Sequence, residues 1–177
     1  PFVSDSFIMV MSSRGCSWNC SFCPLSKWEG KSLFHSPEYV VDQMAYYREK
    51  YDHRSFVFGD NTLSYPRKRL IAICDLIIER GLDVEWICMT RADMVDETVL
   101  TKMAQAGCKE ISYGIESLAP AVQKAINKKL SVKRVVPAFE MTHDAGISTV
   151  IMLMVGNEGE TRETMRETLG RARDIVP

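Results

Sequence analysis

An excess of charge of either sign is missing from this chain. Its 22 lysines and arginines meet 23 aspartates and glutamates, a formal net charge of −1 over 177 residues. No bulk field therefore argues for nucleic acid or for an anionic membrane surface. Long apolar runs are missing as well. The stretch VIMLMV covers only residues 150–155, far short of the roughly 20 apolar residues that a spanning helix needs. No secretory signal, low-complexity linker, Ser/His/Asp set or paired hydrolytic carboxylates stand out. Six cysteines without a secretory signal point to a reducing compartment, where thiols bind metals or stay free, and the cytoplasm is the expected location. The chain opens at Pro1 without a methionine, so a native N-terminus is expected upstream.

What is present is enough length for a core and a regular alternation of elements. A chain of 177 residues, 46% hydrophobic and 25% charged, fits one globular domain. FIMVMSS (7–13) reads as a short apolar strand ending at Gly15. In SPEYVVDQMAYYREK (36–50), Ser36 is an N-cap, Pro37 takes the first helical position, and Val40, Val41, Met44 and Tyr47 recur at helical spacing. SFVFG (55–59), DVEWICM (83–89), KEISYGI (109–115) and ISTVIMLMVG (147–156) read as further strands. Helices are expected over 66–81, ended by Gly81, and over 96–107, capped by Asp96. A broken helical region covers 119–146, and a last helix 161–176.

Five strand–helix units without a hairpin predict an α/β fold with a parallel sheet wrapped by helices. If strand order follows the chain, right-handed crossovers put the helices on one side and give a partial TIM-like barrel. A flavodoxin-like doubly wound sheet is the competing layout. In both, ligands bind at the C-terminal ends of the strands, so the loops after the strands hold the candidate site.

The first of those loops carries Cys16, Cys20 and Cys23 in the order C-x3-C-x2-C. Three thiols on one short loop can wrap a single metal centre. One reading is zinc held by three cysteines and a histidine, His35 being the nearest candidate. A second is free thiols without a task. A third is a 4Fe-4S cluster with three protein ligands and one iron left open, either for a cosubstrate or in a protein that only carries electrons or senses oxygen. Placement at the first strand end favours the cluster.

RGCSWNCSFC (14–23) resembles the cluster loop of radical S-adenosylmethionine (SAM) enzymes, including Phe22 before the last cysteine. FGDNTL (58–63) sits where that family carries its second-strand motif, WICMTRADMVDETVLTKMAQAGCKEISYGIES (86–117) resembles a subgroup often attached to a cobalamin-binding domain, and VGNEGETRETMRETL (155–169) resembles that subgroup's fifth-strand loop. The resemblance implies that SAM binds the open iron. Reductive cleavage then yields a 5′-deoxyadenosyl radical that takes hydrogen from a substrate the sequence does not name. It implies an external reductant such as flavodoxin or ferredoxin, and cobalamin, where used, on a domain outside this chain. It also implies a catalytic core of six βα units, so residues 1–177 are expected to be part of a longer protein with the sixth unit missing.

Site expectations follow from the same resemblance. Cys16, Cys20 and Cys23 hold the cluster, and Trp18 and Phe22 shield it or pack the loop. Gly59 lets backbone approach the ligand, while Asp60 or Asn61 accepts from the SAM ammonium; the family's commoner motif there is Gly-Gly-Glu, a departure. Glu116 is expected to accept from the ribose hydroxyls. Arg91 either neutralises a carboxylate or pairs with Asp93. Lys133 and Arg134 stand behind the Ser131 cap, where the helix dipole disfavours cations; the SAM carboxylate or surface ion pairs would account for them. Gly156 is expected near the adenine, on a loop where Glu158 replaces the family's usual proline. Cys74 and Cys88 are expected to be core residues, and the ten methionines to be interior packing.

Overall fold

The structure, a computed structural model, describes residues 6–175; Pro1 and Val176, which the expectations above include, lie outside the described residues. In chain order the first elements are β1 (Ile8–Val10), β2 (Ser13–Arg14), α1 (Leu25–Trp28), β3 (Leu33–Phe34), α2 (Pro37–Tyr51), β4 (Ser55–Phe58) and α3 (Arg67–Glu79). β5 (Glu85–Thr90), α4 (Glu97–Gln105), β6 (Cys108–Glu116), α5 (Pro120–Ala125), α6 (Val135–Asp144), β7 (Ser148–Leu153) and α7 (Arg162–Arg173) complete them.

Three of the described helices, α2, α4 and α7, start on side-chain caps. Ser36 Oγ accepts from Tyr39 N–H at 3.2 Å, and Asp96 Oδ1 from Val99 N–H at 2.9 Å. Each satisfies a donor that the first turn leaves without a partner. Thr161 and Thr164 form a reciprocal capping box at the start of α7.

β1, β4, β5, β6 and β7 form one parallel sheet in that order. Its register runs through Ile8↔Phe56, Phe56↔Trp86, Ile87↔Glu110 and Ile111↔Thr149. The order never reverses, whereas a doubly wound sheet reverses at a switch point. α2, α3, α4 and α6 contribute Met44, Ile73, Leu100 and Phe139 to a single core with Phe56, Trp86, Ile111 and Tyr113 from the strands. That core fills one face of the sheet, as right-handed crossovers require.

The other face is apolar yet open. Met9, Met89 and Val150 point there, and all three are exposed. The methionines are therefore divided: Met44 and Met103 are core residues, while Met9, Met11 and Met89 are not. The expected absence of a hairpin also needs correction. β2 and β3 pair antiparallel, Ser13↔Phe34 and Arg14↔Leu33, and the loop they close holds the three spaced cysteines. Two residues per strand are too few for alternation to register in a sequence.

Candidate functional site

The cysteine loop leaves β2 through Gly15 at φ +79°, where a Cβ would stand 2.6 Å from Lys31 O and 2.9 Å from Gly30 O. Only glycine fits so close to the returning backbone. Glu29 Oε2 accepts from Gly15 N–H at 2.9 Å and Gly30 O from Cys16 N–H at 3.1 Å. The far side is clamped by the end of α5: Ser21 N–H donates to Ile126 O at 2.9 Å, and Asn127 Nδ2 to Asn19 O at 2.7 Å. Cys23 N–H turns back to Cys20 O at 3.2 Å. All three thiols are half-buried and line one pocket at the C-terminal edge of the sheet.

Opposite the thiols lie Arg91, Glu116 and Lys128. Glu116 has φ +62° and follows a register shift between β6 and β7. The irregularity re-aims its carboxylate, as bulges do near binding sites. Lys128 Nζ donates to Glu116 Oε1 at 2.6 Å, both side chains nearly buried at 7% and 12% exposure. The pair lies across Gly114, where a Cβ would stand 3.2 Å from Glu116 Oε1 and 3.3 Å from Lys128 Nζ. Lys128 Nζ also sits 6.0 Å from the centre of the Phe22 ring. Burial pushes the Cys20 thiol pKa up, and the cations of Lys128 and Arg91 pull it partly back.

Arg91 is held rather than free. Its Nε and Nη2 donate to Asp93 at 2.9 and 2.8 Å, its Nη1 to Lys128 O at 3.1 Å, and its guanidinium lies 5.1 Å from the Trp18 ring centre. Of its two expected roles, the structure shows the pairing with Asp93. Trp18 also meets Tyr65 edge-on at 5.0 Å, so it packs the cysteine loop against the sheet edge.

The stretch after β4 is split. Asp60 is buried and accepts from Ser12 N–H at 3.1 Å, from Ser12 Oγ at 2.6 Å and from Ser13 Oγ. It braces the junction of β1 and β2 and is not among the pocket residues. Gly59 lies against the exposed, flexible side chains of Met9 and Met11, which a Cβ there would push aside. Asn61 alone of the three lines the pocket, with Nδ2 donating to Gly15 O at 3.4 Å. Arg134 and Gly156 are not among the pocket residues. Arg134 borders a separate groove with Arg67, Asp93 and Asp96, and Gly156 N–H donates to Glu160 Oε2 at 2.5 Å.

Lys128 is the site residue that sequence reasoning missed. Its only signal was the pair of lysines closing AINKK (125–129), of which one is buried and the other is exposed at φ +55°. The zinc reading loses its fourth ligand: His35 stacks on Tyr39 at 4.6 Å and borders a groove with Met9 and Met11. Among the described residues, no three His, Cys, Asp or Glu side chains converge closely enough for a single metal ion. A cluster whose three thiolates bind different irons makes no such demand. The pocket lining holds no imidazole and no fourth thiol, so the donor set fits a cluster with one iron left to a cosubstrate.

A parallel α/β sheet with a three-thiol loop at its first strand end defines a class that holds its reactive group at the carboxyl edge. The radical SAM superfamily model matches residues 10–172, and the chain belongs to that superfamily, whose members use a 4Fe-4S cluster and SAM. It is 30% identical over 174 residues to an uncharacterized methyltransferase of Pyrococcus horikoshii, covering 96% of this chain and 37% of the relative. It is 33% identical over 167 residues to the anaerobic magnesium-protoporphyrin IX monomethyl ester cyclase of Rubrivivax gelatinosus, covering 93% and 30%. The chain thus spans about a third of the curated relatives it matches. Among solved structures, the radical SAM methyltransferase TsrM from Kitasatospora setae, with cobalamin and a [4Fe-4S] cluster bound, superposes with a TM-score of 0.89 at 17% identity, covering 96% of this chain and 32% of TsrM. The cobalamin-dependent radical enzyme OxsB, with aqua-cobalamin and SAM bound, gives 0.81 at 20%, covering 93% and 26%. Among the described residues no helix is long and apolar enough to cross a membrane.

Proposed function

We propose that this chain is the SAM-binding, radical-generating core of an enzyme of the methyltransferase and cyclase type that its relatives' names describe. Cys16, Cys20 and Cys23 hold a 4Fe-4S cluster, which supplies the electron that cleaves the carbon–sulfur bond of SAM. The observation that carries the reading is the single pocket in which those three thiols meet the buried Glu116–Lys128 pair. A strand order that follows the chain, with helices on one face, supports a partial TIM-like barrel of five βα units.

The chain's own residues bind, orient and exclude water. Lys128 Nζ is the one pocket cation whose partner is another pocket side chain, and it takes the SAM carboxylate. Arg91 stays with Asp93 and secures Trp18. Glu116 keeps Oε2 for the ribose hydroxyls, and the Asn61 amide oxygen faces the ammonium. Phe22, which lines the pocket with Cys20 and Cys23, would shield a bound cluster from solvent, a burial that tunes cluster potential. Six free cysteines accord with a reducing, cytoplasmic setting. Cobalamin, where the whole protein uses it, comes from a region outside this chain.

Anaerobic reconstitution followed by iron and sulfide analysis, then SAM and dithionite, tests this. The expected result is about four irons per chain and release of 5′-deoxyadenosine. One zinc without sulfide, or a cluster that leaves SAM intact, overturns the assignment.

A further inference from the structure

We propose that Arg69, set against Asp60 across Ser12, is a positioning residue that clamps the neck of the cysteine loop and so fixes where the three thiols stand against Asn61, Glu116 and Lys128. Its bearing on SAM rests on the functional reading above; the clamp itself does not. Neither Arg69 nor Asp60 lines the pocket. The loop leaves the sheet at Ser12 and returns at His35, whose N–H donates to Ser12 O at 3.0 Å. Arg69 grips both ends of that neck: its Nε donates to His35 O at 3.0 Å and its Nη2 to Ser12 O. Two nitrogens on one edge of a planar guanidinium form a fork that a lysine ammonium does not reproduce.

Charge complements the geometry. Ser12 is fully buried; its N–H and hydroxyl go to the Asp60 carboxylate and its carbonyl to the Arg69 guanidinium. Burial pushes the Arg69 pKa down, and the Asp60 carboxylate pulls it partly back up. A segment whose donors all go to an anion and whose carbonyl goes to a cation has one place to sit, because a satisfied polar network specifies its geometry. Arg69 also stands in the first turn of α3, where the helix dipole disfavours a cation. What it grips outweighs that preference.

The clamp reaches the pocket through its neighbours. Asn61, next to Asp60, donates to Gly15 O at 3.4 Å, and Cys16 follows Gly15. The Arg69 guanidinium lies 5.3 Å from the centre of the Phe34 ring, which meets Tyr65 at 6.0 Å, and Tyr65 meets the pocket residue Trp18 at 5.0 Å. The far side of the loop is held separately, by Ser21 and Asn19 on the end of α5. Release of the neck would leave the loop pinned at α5 and free to tilt the thiols against the opposite wall.

The test compares wild type with Arg69→Met, which keeps the stem and removes the fork, and Arg69→Lys, which keeps the charge alone. In the apo-protein, hydrogen–deuterium exchange of peptides within 14–31 is expected to quicken at least about tenfold in R69M, with β5 and β6 unchanged. After anaerobic reconstitution, R69M is expected to keep its iron, to lose roughly tenfold in SAM affinity, and to show a weakened SAM-induced change in the electron paramagnetic resonance spectrum of the reduced cluster. R69K is expected to fall between, and it carries the same readouts if R69M does not fold. Unchanged loop exchange overturns the clamp, as does exchange that quickens equally in β5 and β6. A quickened loop with wild-type SAM affinity and spectrum overturns the positioning role, and R69K indistinguishable from wild type overturns the fork. A wild-type chain that assembles no cluster counts against the functional reading alone, and exchange in the apo-protein still decides the clamp.

Discussion

The six cysteines divide into two trios whose surroundings differ in almost every respect. Cys16, Cys20 and Cys23 sit on a loop, half-buried, facing a pocket with the cations of Arg91 and Lys128. Cys74, Cys88 and Cys108 sit on α3, β5 and β6 with exposures of 0%, 4% and 3%. Burial pushes the Cys74 thiol up to about 12 and the Cys108 thiol well above its usual range. Cys74 and Cys108 are held as neutral thiols in the core, where Cys88 is packed as a small hydrophobe, and the loop trio are the proposed cluster ligands. Residue type is the same in both. Solvent access, nearby cations and a glycine-opened loop make the difference.

Replacement separates the trios most sharply. Alanine at Cys16, Cys20 or Cys23 is expected to bring iron and sulfide to background and to cut SAM cleavage at least about a hundredfold, leaving apo-protein stability near wild type. Alanine at Cys88 or Cys108 is expected to do the reverse, keeping the cluster while lowering stability by about 1–2 kcal/mol. Retained cleavage in any loop variant breaks the comparison.

Lys128→Met addresses what the loop trio faces. It leaves Glu116 buried without its partner, so stability should fall by about 3 kcal/mol and SAM affinity by roughly tenfold or more. Adding Glu116→Gln should restore much of the stability in urea melts and none of the affinity. Recovery of both would reduce the pair to a structural brace.

A smaller effect tests the thiols' accessibility. With iodoacetamide at pH 8, the native apo-protein is expected to be labelled at the loop cysteines and not at the core ones, read by peptide mass mapping. Cys74, raised from 9.0 to about 12, loses its proton in the unfolded chain first. Its contribution to stability is therefore complete below pH 9 and disappears as pH climbs toward about 12. Labelling of native Cys74 at pH 8 would erase the contrast. The smallest change is Asp96→Ala, which removes the α4 cap and a partner of Arg67 and is expected to cost about 1 kcal/mol. The Arg67 hydrogen bond holds the Asp96 pKa below the ordinary carboxylate range. Its contribution is therefore present at neutral pH and lost as pH falls through that lowered value, a modest slope for a half-exposed pair.

Much of the fold and part of the site were legible in the chain. Ser36–Pro37, Asp96 and the glycines at 81, 107 and 146 mark helix limits because capping and left-handed turns are local chemistry. The C-x3-C-x2-C spacing marks the loop for the same reason, and Cys74 and Cys88 read as core from their place on apolar elements. Asp60 was misplaced as a pocket acceptor because its partners, Ser12 and Ser13, are 48 and 47 residues away. Lys128 was missed because burying a lysine depends on a carboxylate 12 residues earlier and on the space Gly114 leaves. Arg134 followed a helix dipole that has no bearing on which groove its side chain borders.

By itself the sequence determined the alternation of strands and helices, the ends of most helices and the placing of three thiols on one short loop. Each of these is set by interactions within a few residues. Only the tertiary structure decided that strand order follows the chain, that one face of the sheet stays open, and that Glu116, Lys128 and Asn61 meet the cysteines. Those outcomes depend on contacts between residues far apart in the chain, and only close packing can choose among such contacts.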